Sequence, residues 1–179
     1  MRFTRHRRAV RAELDAVEAQ VLRQLAEELL ALVEEPEVSD DPLAALVGMP
    51  PGEVDPPDDP VLARLLPDAY RDDPAAAGEF RRYTDADLRA GKRANAQAVL
   101  ASLPAGGGKL TLDRDQADAW LGSLNDLRLA LGTSLGVTEE TDLEDDDEDD
   151  PRFQALHVYA WLGYLQESLL SCLDPRSSS

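Results

Sequence analysis

Apolar residues recur along this chain with two different periods, and each change of period marks an element. Val10, Ala12 and Leu14 alternate with Arg11 and Glu13, the period of two of a half-buried strand, so residues 3–14 read as a short strand or hairpin. The period then lengthens. Val17, Val21, Leu25, Leu29 and Leu32, widened by Leu22 and Val33, recur every three or four residues and leave Arg23, Glu27, Glu28 and Glu34 on the other side. That spacing predicts a long amphipathic helix. Asp15 stands where its carboxylate can accept from the first-turn N–H groups, and Glu18 where it can reach back, which is a capping box.

Residues 36–59 collect Pro36, Pro42, Pro50, Pro51, Pro56 and Pro57 among acids, a composition that resists regular helix and reads as a connection, with one turn at Leu43–Val47. Asp59-Pro60 then starts a short helix with Val61, Leu62, Leu65 and Leu66 inward, ending at Pro67. Pro74–Tyr83 predicts another helix, and Thr84-Asp85-Ala86-Asp87 a cap for a separate, longer one reaching Leu103 with Leu88, Ala96, Val99 and Leu100 inward. The run Pro104–Gly108 stops it. Leu110 and Leu112 alternate with Lys109 and Thr111, so a second strand is predicted to pair with the first. Trp120, Leu124, Leu127, Leu131 and Leu135 form the seam of a helix from about Asp113 to Leu135.

Residues 138–150 are mostly acidic, and like charges at that density repel and stay hydrated, so this stretch is expected to be a disordered loop. From about Pro151 to Leu173 the chain is apolar nearly all round, through Phe153, Leu156, Val158, Trp161, Leu162, Leu165, Leu169 and Leu173. That helix is expected to be the central one. Ala119-Trp120-Leu121-Gly122 recurs as Ala160-Trp161-Leu162-Gly163, each glycine allowing a neighbour close; nothing outside the tetrapeptide repeats, so convergent packing explains it better than duplication. Residues 174–179 are expected to be a flexible tail. The fold predicted for 1–179 is a mainly α single domain, a bundle of five to six helices with a minor two- or three-stranded sheet from the N-terminus and residues 109–112.

Composition changes what such a bundle can do. Against 36 Asp plus Glu stand 18 Lys plus Arg, a formal charge of −18, and aromatics are only 5%, so Leu, Ala and Val must fill the core. No apolar stretch approaches the ~20 residues of a membrane helix and no secretory apolar region follows the basic start, so a cytoplasmic protein without a membrane partner is expected. Cys172 is the single thiol, which removes any intrachain disulfide and any cysteine-based metal site. G-x-S-x-G, phosphate-loop and H-E-x-x-H signatures are missing, and His6 and His157 are too far apart in sequence to suggest a metal pair. No catalytic, metal or cofactor site is therefore assigned, and a non-enzyme without cofactors is expected.

Two groups of residues remain as candidates. Arg2, Arg5, Arg7, Arg8 and Arg11 concentrate positive charge in an otherwise acidic chain. Guanidinium forks suit phosphate oxygens, so this arm is a candidate nucleic-acid or partner contact. Equally, arginines along an edge strand discourage strand addition, and the net charge opposes approach to DNA. Asn125, Arg128 and His157 are read as buried structural polar residues. Arg128 lies four residues after Leu124 and three before Leu131, at the edge of a buried stripe, where a guanidinium needs a partner such as Asp68, Glu79 or Glu167, or else a ligand phosphate. Cys172 sits among Leu169, Leu170 and Leu173, which reads as packing, with an exposed thiol joining two chains as the other reading.

The words Leu65-Leu66-Pro67-Asp68-Ala69-Tyr70-Arg71-Asp72-Asp73, Glu79-Phe80-Arg81-Arg82-Tyr83-Thr84, Leu124-Asn125-Asp126-Leu127-Arg128-Leu129-Ala130-Leu131-Gly132-Thr133 and His157-Val158-Tyr159-Ala160-Trp161-Leu162-Gly163-Tyr164-Leu165-Gln166 together resemble one family. It is the actinobacterial AosR family, named for an actinomycete oxidative stress regulator and long known only as a domain of unknown function. The resemblance runs from the N-terminal strand through the final helix. It implies a mostly helical cytoplasmic transcriptional regulator of the oxidative stress response, encoded near the adaptor ClpS, a metallopeptidase and a cysteine synthase. With Cys172 alone, a dithiol switch within one chain cannot form here; an interchain disulfide or a partner's thiol would have to replace it. The expected role is non-enzymatic regulation through transcription machinery, with DNA contacted by the arm. The alternative is a protein adaptor, related to a sigma factor or Clp protease, that never touches nucleic acid.

Overall fold

Alternation at the N-terminus becomes a hairpin. In the computed structural model, which describes residues 1–7, 9–34, 57–67, 74–141 and 150–174 (without the side chains of 74–76, 79, 82 and 83), β1 (Thr4–His6) pairs antiparallel with β2 (Ala9–Leu14). The readings for Arg8, Leu43–Val47, Asp68 and most of 36–59, 138–150 and 174–179 lie outside the described residues. β3 (Gly108–Leu112) adds antiparallel to the other edge of β2, in the order β1-β2-β3. Its register sets Val10 against Leu112 and Ala12 against Leu110, so these four and Leu14 share one buried face while Arg11, Glu13, Lys109 and Thr111 face out. The long-range pairing follows the alternation, as expected.

Caps start the helices where the carboxylates stand. α1 (Ala16–Leu32) begins at Asp15, which accepts from the Glu18 N–H at 2.8 Å while its own N–H donates to the Glu18 carboxylate at 3.0 Å. Asp59 caps α2 (Pro60–Leu65), accepting from Val61 and Leu62. After α3 (Pro74–Ser102) and β3, Asp113 and Gln116 repeat the reciprocal cap at the start of α4 (Arg114–Leu135), and α5 (Phe153–Leu173) follows. Among the described residues, the sheet and five helices make a mainly α fold with a minor sheet. Among the described residues, no helix is long and apolar enough to cross a membrane.

Three expectations are corrected. The cap foreseen at Thr84 does not divide α3, because its hydroxyl donates to the Phe80 carbonyl one turn back at 2.9 Å and Asp85 takes the Arg89 Nε at 2.6 Å within the helix. With their polar groups satisfied inside a turn, neither residue has cause to break the helix. Leu88, foreseen inward, is 42% exposed on that continuous helix, and Val17 at the start of α1 is 70% exposed. The central helix is α4, not α5. α4 packs against α1, α2, α3, α5 and the sheet, whereas α5 packs on α4 and β1. α5 buries only the stripe Leu162, Leu165 and Leu169 and leaves Tyr164 47% and Leu170 55% exposed. α4 can be surrounded because small residues open it on several sides. A Cβ at Gly122 would stand 2.5 Å from Asn95 Nδ2 on α3, and one at Gly132 would stand 2.9 Å from the Tyr159 ring on α5.

The two Ala-Trp-Leu-Gly words therefore serve different neighbours. Trp120 is fully buried, its indole N–H donating to Ser102 Oγ at 2.8 Å and its ring meeting Phe3 edge-on at 5.6 Å, whereas Trp161 is half-buried. Gly122 faces α3, and Gly163 faces the Arg128 guanidinium on α4.

One glycine joins the loop after α3 to the start of α1. Gly107 has φ +82, and a Cβ there would lie 2.6 Å from the Asp15 carbonyl carbon, a backbone atom that cannot swing aside. Gly107→Ala should therefore cost about 2–4 kcal/mol, from the left-handed backbone plus overpacking. Gly106→Ala meets nothing within 4 Å and should stay within about 0.5 kcal/mol of the parent. Urea midpoints of the two variants check the contrast.

Candidate functional site

The arginines of the N-terminal strand separate into two groups once folded. Arg5 on β1 donates to the Asp174 carbonyl at 3.2 Å, and Arg114 at the start of α4 donates to the Leu173 carbonyl at 3.3 Å. α5 carries no basic residue in its own last turn, so guanidiniums from two other elements sit at the negative end of its dipole. Arg5 is thus a fastening between β1 and α5. Arg2, Arg7 and Arg11 are exposed and, among the described residues, engage no carboxylate or carbonyl. Arg7 occupies the hairpin connection with φ 55, a left-handed conformation that favours glycine or asparagine over arginine.

Beneath this edge is a cleft of about 90 Å³ lined by Arg5, Arg7, Val10, Asp113, Arg114 and Cys172. Burial raises the Cys172 thiol above its ordinary pKa, and the nearby charges of Arg2 and Arg5 only partly offset that. The thiol is half-buried and largely protonated at neutral pH, which makes it a slow nucleophile.

The polar residues foreseen as buried inside the bundle are arranged differently. Arg128 is half-buried between α4 and α5, donating to Gln166 Oε1 at 2.7 Å and to the Tyr159 hydroxyl at 3.4 Å, with its guanidinium carbon 5.2 Å from the Tyr159 ring centre. Its acceptors are an amide and a phenol rather than a carboxylate, and its buried Nε has no acceptor among the described residues. Glu167, one foreseen partner, is exposed; Asp68 and the Glu79 side chain lie outside the described residues. Asn125 is exposed rather than buried, accepting from Gln166 Nε2 at 3.3 Å and so extending the Arg128–Gln166 chain to the surface. His157 is exposed too, because it lies on the outer side of a helix packed along a single stripe; its Nδ1 is 3.0 Å from the Phe153 carbonyl oxygen and its ring lies against the Phe153 ring.

Charges not singled out from the sequence are the ones inside. Asp126 is 4% exposed and accepts from Lys92 Nζ on α3 at 2.6 Å. Burial raises its pKa, and the hydrogen bond and charge of Lys92 pull the other way without cancelling it. Arg89, also buried, ties Asp85 to the Glu34 carbonyl at the end of α1. A signal for Asp126 was present in the sequence: Ala119, Ser123, Asp126 and Ala130 recur at helical spacing as a second stripe of small or polar residues beside the leucine seam. These groups fasten helix to helix. Among the described residues, no three His, Cys, Asp or Glu side chains gather as a metal set.

Lys92→Met should strand a buried carboxylate, raise the Asp126 pKa further and cost about 2–4 kcal/mol near neutral pH, read from urea midpoints. Asp126 carries a folded-state pKa above its ordinary value. Its protonated form favours the folded state, so stability from this group is complete below the unfolded pKa and declines as pH rises through the folded one. Asp126→Asn should flatten that decline across the carboxylate range. Cys172 should react with iodoacetamide more slowly at neutral pH than a free thiol does, the rate climbing with pH as thiolate forms.

Known proteins place this arrangement. A family model described as Domain of unknown function (DUF2017) matches residues 1–173. The Mycobacterium tuberculosis protein named oxidative stress regulator AosR is 35% identical over 178 residues, covering 91% of this chain and 81% of that protein, and its Mycobacterium bovis counterpart gives the same values. A Mycobacterium leprae relative is 36% identical over 171 residues, covering 87% and 78%. No solved structure matches the chain. Matched by that model over residues 1–173 and similar to the mycobacterial AosR proteins over about nine-tenths of its length, the chain belongs to the DUF2017 family.

Proposed function

We propose that this protein is a non-enzymatic, cytoplasmic regulator in the oxidative stress response, acting by binding transcription machinery and touching DNA through the exposed arginines of its N-terminal hairpin. The regulatory part rests on similarity to proteins named oxidative stress regulators over nine-tenths of the chain. The observation that carries the DNA part is Arg7. Holding an arginine at φ 55 costs about 1–2 kcal/mol against the extended or right-handed backbone, at a tip that asparagine or glycine would fill without strain. Arg2, Arg7 and Arg11 are exposed on that hairpin, available for phosphate oxygens. Cys172 cannot form a disulfide within the chain, so any thiol chemistry in such a regulator would need a second chain or molecule.

The formal charge of −18 favours a second reading, a protein adaptor that never approaches nucleic acid. Gel-shift titrations across salt separate the two. In the DNA reading, Arg7→Ala and Arg11→Ala each weaken retardation roughly 3- to 10-fold at low salt and reduce the salt slope by about 1. Arg7→Gly also weakens it while raising stability by about 0.5–1 kcal/mol through relief of the backbone. Wild-type retardation in both alanine variants excludes the arm. Partner capture that survives nuclease treatment, with no retardation by the parent protein, establishes the adaptor.

A further inference from the structure

An apolar recess lies between α1 and α4, away from the arginine hairpin. α1 presents Leu25, Leu29 and Leu32 as one ridge, and α4 presents Leu127, Ala130, Leu131 and Ser134 as another; between them is a groove of about 310 Å³, also lined by Val61 of α2. Leu29 and Leu127 form its buried floor, while Leu25, Leu32, Val61, Ala130 and Leu131 form half-exposed walls. Both ridges follow i, i+3 or i+4, i+7 spacing, so each wall runs about two helical turns, or roughly 10 Å. Two apolar ridges of that length can take the apolar stripe of another helix, anchored by residues one and two turns apart. Glu28 and Asp59 stand exposed at the mouth, and among the described residues no Lys or Arg lines it.

We infer that this groove docks a short amphipathic helix of a partner protein, with apolar anchors in the groove and Lys or Arg at its flanks. Charge selects this occupant. A second copy would bring another −18 to an acidic mouth, whereas basic flanks meet Glu28 and Asp59 favourably. The inference is independent of the arginine edge, and its readout is peptide binding rather than DNA retardation, so the two fail separately.

The test is fluorescence anisotropy of the full chain with a labelled synthetic leucine–lysine peptide whose leucines follow helical spacing. Ala130→Trp fills the groove without changing charge and should weaken binding roughly tenfold or more. Val61→Gln, with its fold checked by circular dichroism, should weaken it several-fold and guards against misfolding of the tryptophan variant. Glu28→Lys should lose clearly more affinity than Glu167→Lys, an equal charge change on the exposed side of α5. Equal losses for those two would mean general attraction of a cation to an acidic protein and would overturn the inference. So would unchanged binding in Ala130→Trp and Val61→Gln, or a parent dimer that Ala130→Trp dissociates, which would give the groove to a second copy.

Discussion

An indole cannot be buried without an acceptor for its N–H, and at Trp120 that requirement ties most of the structure together. The acceptor is Ser102 in the last turn of α3, whose own hydroxyl donates to the Ala98 carbonyl at 2.7 Å, so the bond fixes how α3 ends beside α4. Phe3 meets the ring edge-on, and its backbone N–H reaches Ser168 Oγ on α5 at 3.4 Å. Trp120 thus links α4 to α3 and to Phe3, and the Phe3 backbone carries the connection on to α5. With so few aromatics in the chain, leucines complete the core around it: Leu22, Leu65, Leu112, Leu124, Leu162, Leu165 and Leu169 are all nearly solvent-free.

Where a local rule governs, the sequence was sufficient. Alternation at Val10–Leu14 and Leu110–Leu112 yielded the strands and their pairing, and carboxylates at Asp15, Asp59 and Asp113 marked three helix starts. Failures came where tertiary context decides. Thr84-Asp85 has the composition of a cap, yet a hydroxyl can bond one turn back and an aspartate can pair with an arginine four residues on, so composition alone does not separate cap from interior. α5 was read as central because it is so apolar; centrality belongs to α4, whose glycine, alanine and serine positions admit neighbours on several sides. Total apolar content counts surface that stays half-exposed, whereas small residues record how closely another element approaches.

The same division runs through the polar residues. Arg2, Arg7 and Arg11 were legible as a charged edge because charge clustering is a property of sequence, but nothing in the sequence sets Arg5 apart from them; its role depends on a helix end almost the whole chain away. Arg128 was recognised as needing a partner, and the partner proved to be an amide and a phenol from one helix. Nothing in the sequence pairs Lys92 with Asp126, because the pair exists only once α3 lies against α4.

The fastening of β1 to α5 has a consequence for how the molecule is made. Phe3 and Arg5 bond to Ser168 and Asp174, separations of 165 and 169 residues, so during synthesis β1 waits for α5 before these contacts close. During that interval the nascent hairpin carries an open edge, with β3 also still to come. Charge on the exposed Arg5 and Arg11 of that hairpin disfavours strand addition by other growing chains until the edges are covered.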